Sequence, residues 1–564
     1  MKTKIFYLLS AFIAVAFTNS CNLDVNKDPY AVTNLDVAQL LTAAETESGC
    51  TYAGGYYLNQ NFSSYVQHTC CREVDNYGIS PNENNINNTW LQAYVGAIKN
   101  CDALIENASK EETKDDYYKA IGNVLRTYVY MGLADFWGDV PYSQANNAEY
   151  QTPAPDKSSD IYKDLLARLN SAIAGLSSNA PDTYFTLGSN DILYNGDIDK
   201  WLKAANTLKL KLLVQARKAK SELPDYDTEL STLLSDDNFL GEGEDLQFPH
   251  STAQTPSDER NATFVSEYEG GQKSVYISPW LYETMNGLTY NFTDNPLKNI
   301  KDPRVPYYWV NQLTDEDNSQ NNADYRDGGF VSIFLGSKSG YSSGNNDASI
   351  SVLGIYPVGG KYDDGQGCKI GAGSGTGVAP DKLLMAYSVP FMKAELVLVG
   401  LYTSAPKSAL DYLVEGVKLS IDHVNEVTAV ADSRAPLIST EATNDLVAEL
   451  TGKFNGADRE KQLEIVMTEK WIANFFNPLE AYNDIRRTGY PKLFKGNDEH
   501  KAVSPYTQTT EPAPGPVQFE TVTILDYPRI MWYPTCEISV NPNFTNTGRV
   551  LSQYKNVFWD VENN

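Results

Sequence analysis

Tyr307-Tyr308-Trp309, just after Asp302-Pro303-Arg304 and separated from it by Val305-Pro306, sets three rings in a row on a stretch otherwise rich in Gly, Asn, Ser and Asp. Trp280, Tyr282, Tyr325, Tyr356 and Tyr362 lie in the same stretch, with Asn311, Asp327 and Lys369 among them. Flat ring faces beside amides and carboxylates suit a polar, ring-shaped ligand. The faces stack on it, and the polar side chains replace the water its hydroxyl groups lose. Tyr77, next to Asp75 and Asn76, and Trp90 extend this chemistry to the N-terminal part. The candidate ligand-binding set is therefore Trp309, Tyr308, Tyr307, Trp280, Tyr325, Tyr362, Tyr77 and Trp90. Each ring also has a reading as core, because aromatic side chains fill interiors. For Trp90, which heads a helical stripe, the core reading is the stronger one.

Catalysis has less to stand on. A glycoside hydrolase needs two carboxylates at a set separation, and 72 acidic residues supply such pairs by chance. No nucleophile elbow and no zinc-hydrolase helix motif is present. Glu395 on an apolar helix and the Arg486-Arg487 pair read as a buried carboxylate meeting a guanidinium. His68 beside Cys70 and Cys71 fits no usual zinc spacing. Asp315, Asp317 and Ser319 begin like a calcium loop, but Gln320 stands where the turn needs Gly and Arg326 where the bidentate Glu belongs, so a standard EF-hand is excluded.

Location follows from the first residues. Lys2 and Lys4 precede an apolar run over 5–17 that is too short to span a bilayer, and Thr18-Asn19-Ser20 leads into Cys21. This reads as a leader over 1–20, removed to leave Cys21 as an acylated N-terminus that anchors the chain to a membrane surface. A net charge of -27 argues against a nucleic-acid partner, which wants a basic face. Cys50, Cys70, Cys71 and Cys101 allow one or two disulfides in an oxidising compartment, with no connectivity implied.

The elements that must position the rings show as apolar residues at steps of three and four. Trp90-Tyr94-Ala97-Cys101-Leu104, Tyr117-Ile121-Val124-Tyr128-Met131, Tyr162-Leu165-Leu169-Ile173-Leu176 and Trp201-Ala205-Leu208-Leu212-Ala216 predict four helices. Ser158 or Ser159 is the expected cap of the third, and Asp197 or Asp199 of the fourth. Stripes from Phe391 to Leu401, Leu410 to Val424 and Leu463 to Phe475 follow. Short linkers predict antiparallel helix pairs. Between them the helical period vanishes over 243–385, a length that inside a compact protein points to function. The expected division is a helical part over 21–242, a loop-rich ligand-binding region over 243–385, and a second helical part over 386–564 completing the same scaffold.

Several segments carry a family resemblance. Asp24-Val25-Asn26-Lys27-Asp28-Pro29, Leu133-Ala134-Asp135-Phe136-Trp137-Gly138-Asp139-Val140-Pro141-Tyr142, and Asp191-Ile192-Leu193-Tyr194-Asn195-Gly196-Asp197 leading into Trp201 are three of them. Asp302-Pro303-Arg304, Phe391-Met392-Lys393-Ala394-Glu395, the run from Glu480 to Pro491 and the run from Tyr527 to Pro534 complete the set. Together they resemble the SusD/RagB family of outer-membrane nutrient-binding lipoproteins, in its SusD-like branch. The resemblance implies a mainly α fold of stacked tetratricopeptide-like helix pairs with a large loop-rich ligand region, no catalysis and no cofactor. It also implies capture of oligosaccharides, or in some members peptides, for delivery to a SusC-like TonB-dependent transporter at the cell surface. The motifs themselves read as scaffold: Gly138 and Pro141 end a helix, and Gly196 breaks the chain before Asp197 starts one. A helical-repeat assembly factor shares that scaffold but has no use for the aromatic excursion.

Overall fold

The computed structural model describes residues 36–52, 58–71, 83–270, 272–317, 325–335, 347–494, 501–508, 515–520, 528–546 and 557–561. About half of the chain is helical. Among the longer helices are α1 (Val37–Cys50), α2 (Lys99–Asn107), α3 (Asp116–Trp137), α4 (Ser158–Leu176), α5 (Ile198–Gln215), α6 (Ser388–Leu398), α7 (Ala409–Ala431), α8 (Thr440–Asn455), α9 (Arg459–Ala473) and α10 (Pro478–Thr488). Neighbours in sequence pack as pairs, α3 on α4 and α6 on α7 most extensively. Contacts of α6 and α10 with α5 join the two helical halves. The expected stacked helix pairs are thus present.

Helix α3 is the axle of the N-terminal half. It is buried on every side from Ala120 to Trp137 except at Gly132, so a one-stripe reading of Ile121, Val124, Tyr128 and Met131 understates it. Its Gly138 C-cap has φ 72° and returns its N–H to the Ala134 carbonyl, as expected of a residue that must turn left-handed. The stripe through Trp90, Ala97, Cys101 and Leu104 is buried, but a π-helical segment (Gln92–Ile98) interrupts the α-helix that carries it.

Caps confirm part of the sequence reading and correct part. The Asp197 side chain accepts from the Lys200 N–H at the start of α5, as expected. Helix α4 differs: Ser158 is its first residue, not its cap, and the N–H of Ser158 is met instead by Asp139 Oδ1 at 2.8 Å. That carboxylate comes from the Phe-Trp-Gly-Asp turn, so the helix end is satisfied by tertiary contact.

The excursion is less irregular than its composition suggests. Its ends are clasped by antiparallel pairing of strand Leu246–Phe248 with Asp381–Leu384. Within it lie short helices such as Pro279–Met285 and Val305–Tyr308. Strand pairs Trp309–Val310 with Val352–Leu353 and Tyr325–Asp327 with Phe330–Ser332 complete its frame. Two to seven residues per element is too little to show a period in sequence.

The family-like motifs do structural work. Asp191 accepts from the backbone N–H groups of Leu193, Tyr194 and Gly196 and from Trp201 Nε1, folding the turn onto the helix it precedes. Asp135 accepts from Tyr162, Asn483 and Trp559 Nε1, joining three distant segments. Glu395 meets Arg487 and, at 2.8 Å, Arg217, the buried ion pair expected of it, while Arg486 donates to the carbonyls of Asp135 and Arg529. The disulfide expectation is not met at Cys50 and Cys101, which are free thiols. Burial pushes both up to about 12.

Candidate ligand-binding site

Each ring of Tyr307-Tyr308-Trp309 points into a different cluster. Tyr307 meets the edge of Tyr362 with centroids 5.0 Å apart and donates its hydroxyl to the Pro436 carbonyl at 2.7 Å. Tyr308 stacks on Phe475 at 4.8 Å and 10° and donates to the Ile472 carbonyl at 3.0 Å. Trp309, only 1% exposed, packs against Tyr282 and Phe330. The triplet therefore rivets the excursion to the loops around it and to the end of α9. The Asp302-Pro303-Arg304 motif before it adds a buried ionic rivet. Arg304 holds Asp302 in a two-pronged pair, reaches Glu469 on α9 at 2.7 Å, and donates to Ser420 on α7 at 3.0 Å. Burial raises the Glu469 carboxyl more than Arg304 lowers it.

Trp280 packs on Phe494 and Phe334, and Tyr325 on Phe330 and Phe334. Trp90 sits edge-on to Trp137 and donates Nε1 to Glu537 at 3.3 Å. As placed, Trp309, Tyr308, Tyr307, Trp280, Tyr325 and Trp90 are all buried and offer no open face. Tyr362 is half-buried, beside exposed Asp364, Gln366 and Lys369. Tyr77, Asp75, Asn76 and Cys21 lie outside the described residues. His68 is core: it packs on Trp471, its Nε2 lies 2.9 Å from the Trp471 carbonyl, and burial lowers it to about 3.

Among the described residues, the most open ring of the excursion is one that sequence reasoning passed over. Tyr290 is 46% exposed. Its loop is held from beneath by buried Glu283, which accepts from the N–H groups of Asn291 and Phe292 at 2.9 and 3.1 Å and from Asn291 Nδ2 at 2.6 Å. Asn295 adds bonds to the carbonyls of Glu283 and Leu288. Beside it half-buried Tyr282 stacks on Phe330 at 3.9 Å and donates to Asp327 Oδ2 at 2.9 Å. Partial burial pushes the Asp327 carboxyl up, Asp315 adds to that, and the Tyr282 hydroxyl opposes it. The charges of Asp327 and Glu283, after burial itself, raise the Tyr290 phenol, which places it in their company. A rigidly held open ring beside a half-buried phenol and a carboxylate is equipped to stack on and hydrogen-bond a polar ring. Nothing in the sequence separates Tyr290 from the other excursion tyrosines, because the distinction is exposure.

The sequence profile of a SusD-like family, described as starch-binding and associating with the outer membrane, matches residues 29–508. The chain belongs to this SusD-like family. No individual curated protein matches it in sequence. A chitin-binding protein of known structure shares the fold at a TM-score of 0.66 and 21% identity, over 93% of this chain and 100% of that one. A SusD/RagB family protein from Bacteroides thetaiotaomicron gives 0.65 and 18%, over 94% and 100%. A chitin-binding SusD homolog from Flavobacterium johnsoniae gives 0.63 and 17%, over 93% and 99%. The SusD-like scaffold is therefore tetratricopeptide-like. Members of the family bind carbohydrate without catalysing a reaction on it. Among the described residues of this SusD-like chain no helix is long and apolar enough to cross a membrane.

Proposed function

We propose that this chain is a cell-surface lipoprotein, anchored through acylated Cys21, that captures an oligosaccharide and delivers it to a SusC-like TonB-dependent transporter. The observation that carries the glycan reading is the SusD-like match over 29–508, which includes the whole excursion. The chitin-binding activity of two structural neighbours of the same fold supports a neutral glycan as ligand.

Within the excursion we assign ligand contact to the rings with solvent-facing surface, Tyr290 and Tyr362, with Tyr282 and Asp327 beside the first. Tyr307 then acts one layer below Tyr362, and Trp309 and Tyr325 one layer below Tyr282, while Tyr308 and Trp280 pack deeper in the core. Calorimetry of the purified chain against chitin oligosaccharides, maltooligosaccharides and a peptide mixture tests the reading. Heat is expected with a glycan, and Tyr290→Ala is expected to weaken it about tenfold, the worth of one stacking ring. Melting temperature should change little, because nearly half of the residue is exposed. Binding of peptides alone, or unchanged glycan affinity in both Tyr290→Ala and Tyr362→Ala, refutes the assignment.

A further inference from the structure

Where the excursion leaves the N-terminal helices, its first residues lie against one face of α7. Leu419, Asp422, His423 and Glu426 share that face at helical spacing, and they line a small cavity together with Glu242, Gly243, Asp245 and Ala386. The Nδ1 atom of His423 stands 3.1 Å from Asp245 Oδ2 and 3.9 Å from Glu426 Oε2. One ligand atom from each of the three residues lies within 4.8 Å of the others. Ligand atoms around a single ion bonded at about 2.0–2.2 Å stand roughly 3–4 Å apart.

A second observation is independent of the carboxylates. His423 is 3% exposed, yet neither ring nitrogen makes a hydrogen bond; its approach to Asp245 is close but off the hydrogen-bonding direction. Tyr356 and Tyr387 pack around the imidazole with centroids 5.7 and 6.1 Å away, so its polar edge is left to the cavity. Orphaned buried nitrogens are rare and call for a partner. The surrounding charge is mostly negative: Glu242, Asp245, Asp422 and Glu426 crowd the cavity, opposed by Lys418 and by the buried Lys382, whose ammonium feels Asp245.

We propose that His423, Asp245 and Glu426 bind one divalent transition-metal ion of the zinc type. An imidazole with two carboxylates favours zinc over calcium or magnesium, which prefer all-oxygen sets. Asp422 and Glu242 line the same cavity. Asp245 Oδ1 also accepts from the Ala386 N–H at 2.6 Å, so the ion would tie α7 to both ends of the excursion at its neck. The inference does not depend on the glycan reading.

The test is equilibrium dialysis of the chelator-stripped chain against ZnCl2, with CaCl2 and MgCl2 in parallel and metal read by elemental analysis. One equivalent of zinc is expected in preference to calcium, lost at least tenfold in affinity in His423→Gln and in Glu426→Gln. Glu426 is exposed, so Glu426→Gln should match the parent in melting temperature in EDTA, and it carries the test if His423→Gln does not fold. Zinc raising the melting temperature of the parent but not of Glu426→Gln is a second supporting readout. No stoichiometric zinc, equal zinc affinity in parent and Glu426→Gln, or preference for calcium overturns the proposal.

Discussion

The helical scaffold and the excursion bury their aromatic rings to a similar degree but satisfy their backbones differently. In the scaffold each helix pairs its own N–H and C=O groups, so side chains are free to pack, and those of Trp201, Tyr162 and Phe391 are buried in the core. The excursion has few regular partners, so buried side chains stand in for secondary structure. Glu283 receives two backbone N–H groups, while Gln312 donates to the carbonyls of Asp347 and Ile350 and accepts from the Ile370 N–H. A buried backbone group without a partner is costly, so these side chains are as necessary as the strands. The excursion is therefore a packed body whose order comes from tertiary bonds.

The comparison breaks most visibly at Arg304. It is fully buried and serves Asp302, Glu469 and Ser420 from inside the excursion. Arg304→Ala leaves two buried carboxylates without their cation, and removal of one partner of such a pair costs about 3–5 kcal/mol. Urea unfolding should show a loss at the upper end of that range. A loss below about 1 kcal/mol would mean that the excursion can relax around the gap as a loose loop does.

Trp309 sharpens the same point through apolar packing. Trp309→Ala is expected to destabilise by about 3–5 kcal/mol, as for a core ring, and to lower glycan affinity only in proportion to the unfolded or distorted fraction. Tyr290→Ala should do the opposite. If Trp309→Ala retained its melting temperature and lost affinity, the buried and open rings would have to exchange roles.

His68 tests the seam between the two regions by pH. It lies between α9 and the strand pair Thr69–Cys71 with Val275–Ile277, and burial holds its folded pKa at about 3 against about 6.5 unfolded. A lowered histidine contributes fully above pH 6.5. As pH falls below that, the unfolded chain takes up a proton that the folded chain refuses, and stability drops by about 1.4 kcal/mol per pH unit until roughly pH 3. Unfolding at pH 7.5 and 5.5 should differ by about 1.4 kcal/mol more in the parent than in His68→Gln. Equal differences would show that His68 takes up its proton while folded.

Legibility in sequence divides along the same line. The stripe through Trp201, Ala205, Leu208, Leu212 and Ala216 is local, and all five residues are buried as expected. The Glu395 ion pair was readable as chemistry, an acid on an apolar helix that needs a guanidinium, although which arginines supply it is a matter of fold. The rings of the excursion could be found but not sorted. Tyr290 and Trp309 both sit in polar, turn-rich sequence, and what separates them is Glu283 below one and Phe330 beside the other, contacts with no periodic trace. His423 was hidden for a related reason: as part of the α7 stripe region it reads as helix, and its carboxylate partner Asp245 is far away in the chain.

The smallest effect distinguishes local from distant satisfaction within the scaffold itself. Helix α7 begins with a reciprocal box in which the Ser408 side chain meets the Asp411 N–H and the Asp411 side chain meets the Ser408 N–H. The first N–H of helix α4 is met from outside by Asp139. Ser408→Ala should cost about 1 kcal/mol, within the range for a cap, and the loss should stay in α7. Asp139→Ala removes a bond of similar worth but also loosens the turn between α3 and α4, so hydrogen exchange should quicken on both sides of that turn. Exchange confined to the first turn of α4 would show that the Phe-Trp-Gly-Asp segment keeps its shape without the bond, and that its motif is held by Gly138 and the buried aromatics alone.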